Sequence, residues 1–414
     1  MVVYRDVSVR ISTQTRKGTN LIRAIDRFFL NANCSVVKLL CAVRHSKEVV
    51  GRKLEASGTA EPVTVMMVAS RCMIRVGFFL LIFGSVIPTL DAQEAAIDVP
   101  TTELSRDYPI TNFWIASALS NAGSSWKSFP PEVISASLLD INEQEIVYLR
   151  AGESTPIRIA SIRLQAIEVP WSTDAAVKAH AAYIASDYKS AIDLAKAAIA
   201  EGKLPRWQQR ILASEIAEGL TALGQSLAAC RVFISLCKES PAAMLYRSAP
   251  LNWTNQRPTP ELIQQAQSWI SAEQPPIARL LGASWLLLGN DSMSATAVLE
   301  ELSRSKSAYL APLATAQLWR SATPNQVIER SNDWIAMRDQ MLMPLQLGPT
   351  ITISHKLEKA SRKEEALQEL LRLIGVFPAY LKEIRDARTS AIELLNNLGR
   401  VDEAKKLSLL HDQH

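Results

Sequence analysis

The stretch Leu280-Leu281-Gly282-Ala283-Ser284-Trp285-Leu286-Leu287-Leu288-Gly289, followed by Ala295, Leu299 and Leu302, constrains the fold most. A small residue, Gly282, faces in, an aromatic follows three residues on, and Gly289 closes the run before a second apolar series at helical spacing. That is the pattern of an αα-hairpin. One amphipathic hairpin cannot bury its apolar face alone, so the pattern demands neighbours of the same kind. The chain supplies them. With the hairpin-closing position as marker, similar units recur near Ser186, Gly224, Arg257, Gly289, Ala322, Ser361 and Gly399, at intervals of 38, 33, 32, 33, 39 and 38 residues.

The units differ in how well they match. Tyr188, Ala191-Ile192 and Ala198-Ile199 precede Pro205, after a helix expected from about Thr173. Leu223-Gly224, Ala229, Phe233, Leu236 and Pro241 match more closely. Ala366-Leu367, Leu370, Leu373 and Pro378 make a second helix after a first over Ile353–Lys359, and Leu398-Gly399, Val401 and Ala404 finish the series. The units near Arg257 and Ala322 rest on Trp253, Trp269, Trp319 and Trp334 and on spacing. Taken together, residues 171–414 resemble a tetratricopeptide-type repeat domain with divergent repeats, whose period lies in this range. The resemblance implies a mostly α fold, a right-handed αα-hairpin solenoid. A non-repetitive helical bundle would share many of these features.

Ahead of the helices the period changes. Residues 93–132 read as irregular, broken by Pro100, Pro109, Pro130 and Pro131, with one apolar patch, Phe113-Trp114-Ile115, able to dock on the neighbouring module. Residues 133–170 alternate apolar and polar side chains, which predicts a small antiparallel β-meander with strands near 133–139, 145–150, 155–160 and 163–169. So small a sheet must close on itself or lean on the helices to be stable.

Residues 66–92 have the layout of a secretory signal peptide. Arg71 and Arg75 precede an apolar run from Val76 to Leu90, and Leu90-Asp91-Ala92 offers a small residue before Gln93. The run is short of the roughly twenty residues a spanning helix needs. Residues 1–65 lack a sustained hydrophobic period, and read as a non-native or disordered extension. Cleavage after Ala92 would leave an exported chain of the periplasm or cell envelope with no membrane span; left uncleaved, residues 76–90 would anchor it. If 66–92 were instead a core helix, the protein would be a cytosolic regulator. Residues 93–414 hold 32 Lys/Arg against 35 Asp/Glu. A nearly neutral body without a basic stripe gives nucleic acid little to bind. Cys230 and Cys237, two helical turns apart, are about 10 Å distant and too far for a disulfide.

The sequence carries no phosphate-binding glycine loop, no His-Glu-x-x-His pair, no Cys-x-x-Cys and no Gly-x-Ser-x-Gly elbow. No catalytic, metal-binding or cofactor-binding residue is therefore expected. His180 and His355 fall on helices as solvated or hydrogen-bonded residues, and Trp285 and Trp319 fall in the core. Trp126 is the aromatic that packing explains least. The repeat resemblance implies that first helices of successive hairpins line a groove for a protein or peptide partner. Carried over residue by residue, that groove would hold Glu218, Arg279, His355, Glu358 and Glu393. The leading expectation is thus a non-catalytic interaction scaffold. The alternative is an enzyme or enzyme subunit acting on envelope polymers, with its site where the β-module meets the repeats.

Overall fold

The computed structural model describes residues 109–116, 131–378 and 381–409. The extension, the leader, Trp126 and His411 and His414 lie outside them. Thirteen α-helices follow one another along the described chain: α1 Asp174–Ile184, α2 Tyr188–Ala200, α3 Arg206–Ala222, α4 Ser226–Cys237, α5 Pro260–Trp269, α6 Pro276–Leu286 and α7 Ser292–Ser303, then α8 Leu310–Leu318, α9 Pro324–Gln340, α10 Leu347–Lys359, α11 Lys363–Val376, α12 Lys382–Asn397 and α13 Val401–Leu409. Each packs against the next, although α4 and α5 are separated in sequence by a long non-helical stretch. A small antiparallel sheet precedes them, so the fold is the expected β-module followed by an αα-hairpin array.

The closing positions explain why the helices stop where they do. Ser186, Gly224, Ser361 and Gly399 have φ of 63°, 74°, 62° and 74°, the left-handed conformation. In each, the closing residue's N–H bonds the carbonyl three residues back and the next N–H bonds the carbonyl five back, as in Asp187 N to Ala182 O at 2.9 Å and Arg400 N to Leu395 O at 2.9 Å. Helix-end carbonyls are thereby satisfied while the chain reverses. Glycine adopts this conformation freely; Ser186 and Ser361 adopt it against the Cβ clash. Helix starts are equally local. Thr173, Thr259 and Thr323 accept the N–H of Ala176, Leu262 and Gln326, and Pro260 and Pro324 occupy the first helical position.

Helix α6 is the best-buried element, with every residue from Ile277 to Leu286 inside. A Cβ on Gly282 would fall 2.7 Å from the Ala266 carbonyl oxygen and 3.0 Å from Trp269 Cβ. The expected small inward residue is therefore where α5 and α6 touch backbone to side chain. Trp285 and Trp319 are in the core, and Trp319 stacks on Trp334 at 5.5 Å.

Two expectations need correction. The sheet has five strands, β1 Ile110–Ile115, β2 Glu132–Ile141, β3 Glu145–Leu149, β4 Ile157–Ala160 and β5 Leu164–Ile167, in the order β4-β3-β2-β1-β5. It is no simple meander, because β5 crosses to pair with β1 on the far side. The Phe113 patch, read within an irregular segment, is that inner strand β1; its proline-rich flanks hid a six-residue run whose alternate side chains Thr111, Phe113 and Ile115 are buried. The sheet's inner face packs on Trp207 and Ile211 of α3 and on Ala242, Met244 and Leu245, which supplies the cover it needed.

The second correction concerns the unit near Arg257. Where its first α-helix should lie, the chain forms a 3₁₀ turn, Ala243–Ser248, and then runs without regular structure to Thr259, so only the second helix, α5, is present. Pro241, Pro250 and Pro258 explain this: each removes a backbone donor, and each biases the residue before it away from the helical region.

Candidate functional site

The segment that fails to become a helix occupies the first-helix face. Ala242 to Asn252 are all buried apart from the half-buried Arg247. The Pro250 carbonyl accepts from Trp285 Nε1 on α6 at 2.9 Å, and the Asn252 N–H donates to Ser284 Oγ at 2.9 Å. Asn255 Oδ1 accepts from Arg320 Nε at 2.9 Å. Tyr246 lies against Tyr309 with ring centres 4.2 Å apart, and the Trp253 indole covers Gly348 so closely that a Cβ there would fall 2.0 Å from a ring carbon. The segment therefore runs from the sheet, past α3 and α6, to the start of α10. Trp285 and Ser284 of α6 hold the segment's backbone at Pro250 and Asn252, and Arg320, just past α8, holds the Asn255 side chain; the backbone they hold belongs to the chain itself.

Beneath it, Arg320 is buried among neutral acceptors. Its Nη1 donates to the Ser284 carbonyl at 2.8 Å and to Gln317 Oε1 at 2.6 Å, and burial without a carboxylate pulls its pKa down to about 10. Burial alone also lowers the guanidinium of Arg388, which makes no hydrogen bond or ion pair among the described residues.

Where this segment meets the β-module, titratable side chains collect. His180 Nδ1 lies 2.8 Å from Glu215 Oε1, both buried, and the Tyr183 hydroxyl donates to Glu218. Arg247 Nε donates to Glu218 Oε1 at 3.1 Å. Trp171 flanks the His180 ring at 5.5 Å. His180–Glu215 and Tyr183–Glu218 each join α1 to α3 at a separation of 35 residues, one repeat. His180 is hydrogen-bonded, and its acidic partner lies one hairpin away rather than at the short spacing of a metal-ligand pair. The pocket among Ser214, Glu215, Glu218, Arg247 and Ser248 has room for about one water. Among the described residues no three His, Cys, Asp or Glu side chains converge as metal ligands.

The five groove residues divide. Glu218 and Arg279 are internal: Glu218 is held by Tyr183 and Arg247, and buried Arg279 makes a two-pronged bond to Glu301, with Nη1 to Oε1 at 2.8 Å, which raises its pKa and lowers that of Glu301. His355 is half-buried on α10, its pKa lowered by burial, while Glu358 on α10 and Glu393 on α12 are exposed and form no hydrogen bond or salt bridge among the described residues. His355 and Glu393 sit at equivalent places, six residues before Ser361 and Gly399.

Away from this face, Arg338 is the largest fully buried charge. It pairs with Glu369 and bonds Asp339 at 2.8 Å, linking α9 to α11. Both described cysteines are free thiols; burial pushes each up to about 12, so neither is a nucleophile at neutral pH. No described helix is long and apolar enough to cross a membrane.

No family model, curated protein sequence or solved structure matches the chain.

Proposed function

We propose that this protein is an exported, non-catalytic helical-repeat scaffold of the tetratricopeptide-like kind, acting in the periplasm or cell envelope. It holds a protein or peptide partner on the part of the first-helix face that its own chain leaves uncovered. The observation that carries this reading is the contrast along that face. Toward the N-terminal end Glu218 and Arg279 are consumed in internal ion pairs, whereas His355, Glu358 and Glu393 are presented on α10 and α12 with two carboxylates unbridged. Basic side chains of a partner would meet those carboxylates. The test is affinity purification of the full chain from its own cells beside the E358K/E393K variant, with N-terminal sequencing of both. A start at Gln93, and a defined partner whose recovery falls at least tenfold in the variant, supports the proposal. Equal recovery from both would sink the binding face, and a cytosolic chain starting at Met1 would sink the export.

A second reading, an enzyme or enzyme subunit acting on envelope polymers, rests on the position of the His180, Glu215, Tyr183, Glu218 and Arg247 cluster at the junction of sheet and repeats. It is weaker, because the pocket there admits about one water and the cluster's bonds join neighbouring helices. Turnover of a cell-wall preparation with a sharp pH optimum, lost in H180A, would favour it.

A further inference from the structure

In an array of hairpins each unit touches only its neighbours, so the two ends ordinarily loosen independently. Residues 242–256 already depart from that rule, and one side chain carries the departure from one end of the array to the other. Arg385, in the first turn of α12, donates through Nη2 to the Tyr188 hydroxyl at 3.0 Å and through Nη1 to Ser186 Oγ, residues 197 and 199 positions back. Ser186 is the left-handed residue that closes the first hairpin, and Tyr188 opens α2. Tyr188 in turn lies edge-on to Tyr183, 6.1 Å between ring centres, and Tyr183 is bonded to Glu218. On the same turn of α12, Glu383 lies within the electrostatic reach of Glu218 and Arg247. The last hairpin thus comes back onto the first two. Helix α12 packs chiefly against α11 and α13, and the bonds that reach the first hairpin come from the Arg385 side chain.

We propose that Arg385 is a latch that couples the terminal hairpin α12–α13 to the first hairpin α1–α2, so that the two ends of the array open together. Such a coupling is reciprocal: whatever frees Arg385 at one end loosens the other by the same factor. A ligand that takes the Ser186–Tyr188 site would release the last hairpin, which carries Glu393.

Hydrogen exchange of the full chain, resolved by mass spectrometry, tests this. The S186G/Y188F variant removes the two acceptors at the first hairpin while glycine relieves the closing position, so loosening elsewhere cannot come from a weakened turn. Exchange in α12 is expected to rise about tenfold, although α12 is unaltered, with α6 and α7 unchanged. R385A should raise exchange in α1–α2 and α12 alike. An unchanged α12 in S186G/Y188F would overturn the latch, and so would a rise shared equally by α6 and α7, which would mean global destabilisation.

Discussion

The first-helix face is one surface by construction and two by chemistry. Over α3 to α8 it is filled by residues 242–256, which bring their own carbonyls, amides and aromatic rings to Trp285, Ser284, Arg320 and Tyr309. On the C-terminal halves of α10 and α12 Glu358 and Glu393 stand in solvent, with no hydrogen-bond or salt-bridge partner among the described residues. The repeat period says which side chains point to this face. It does not say whether the chain itself has claimed them. Three prolines in one degenerate unit turned a missing helix into an occupant.

The largest effect that would sharpen this contrast is Trp285→Ala. It deletes a buried indole and its bond to Pro250, and should cost about 3–5 kcal/mol in urea unfolding, whereas Glu358→Ala and Glu393→Ala should each stay within about 0.5 kcal/mol. Comparable effects at both places would erase the distinction. Next is Gly348→Ala, which places a Cβ inside the Trp253 ring and should cost about 1–3 kcal/mol. Made in a Trp253→Ala background, the same change should cost almost nothing, since neighbours are not additive. A penalty that persists would mean Trp253 is not what covers α10.

The closing turns give a smaller, signed pair. Ser361→Gly should raise stability by about 0.5–1 kcal/mol and Gly399→Ala should lower it by about 1 kcal/mol, because only the second puts a Cβ into a left-handed position that lacked one. The smallest effect is His355, whose pKa burial lowers in the folded chain. A base with a folded pKa below its unfolded one binds fewer protons when folded, so stability is complete above the unfolded value near 6.5 and falls as pH drops through the folded one. His355→Gln should flatten the thermal midpoint between pH 7 and pH 5; an unchanged pH slope would contradict that.

Much of the architecture could be read from residues. Six of the seven closing markers lie between the paired α-helices of a hairpin, and glycine or serine at four of them takes the left-handed conformation. Gly282 against Ala266 was visible as a small residue in an apolar helix. What escaped was non-local. Strand β1 was hidden by flanking prolines and by a partner strand, β5, that arrives more than forty residues later. The partner of His180, Glu215, is one repeat away, a spacing that a search for metal or catalytic pairs passes over. Glu218 and Arg279 lie on first helices, and their partners Arg247 and Glu301 come from the inserted turn and from α7. A periodicity fixes orientation; pairing across repeats needs the register of one hairpin on the next.

Residues 242–253 are an integral filling of the face rather than a displaceable occupant. Outside any α-helix, their amides are nonetheless held: Leu245 N to Ala242 O at 2.9 Å, Ala249 N to Tyr246 O at 3.1 Å, Trp253 N to Leu251 O at 3.0 Å and Asn252 N to Ser284 Oγ at 2.9 Å. Native-state exchange of these amides, set beside those of α6, measures directly how firmly the segment is held. Protection equal to that of α6 is the expected result. Exchange in seconds while α6 stays protected would mean that the segment is displaceable and would make the whole first-helix face available to a partner.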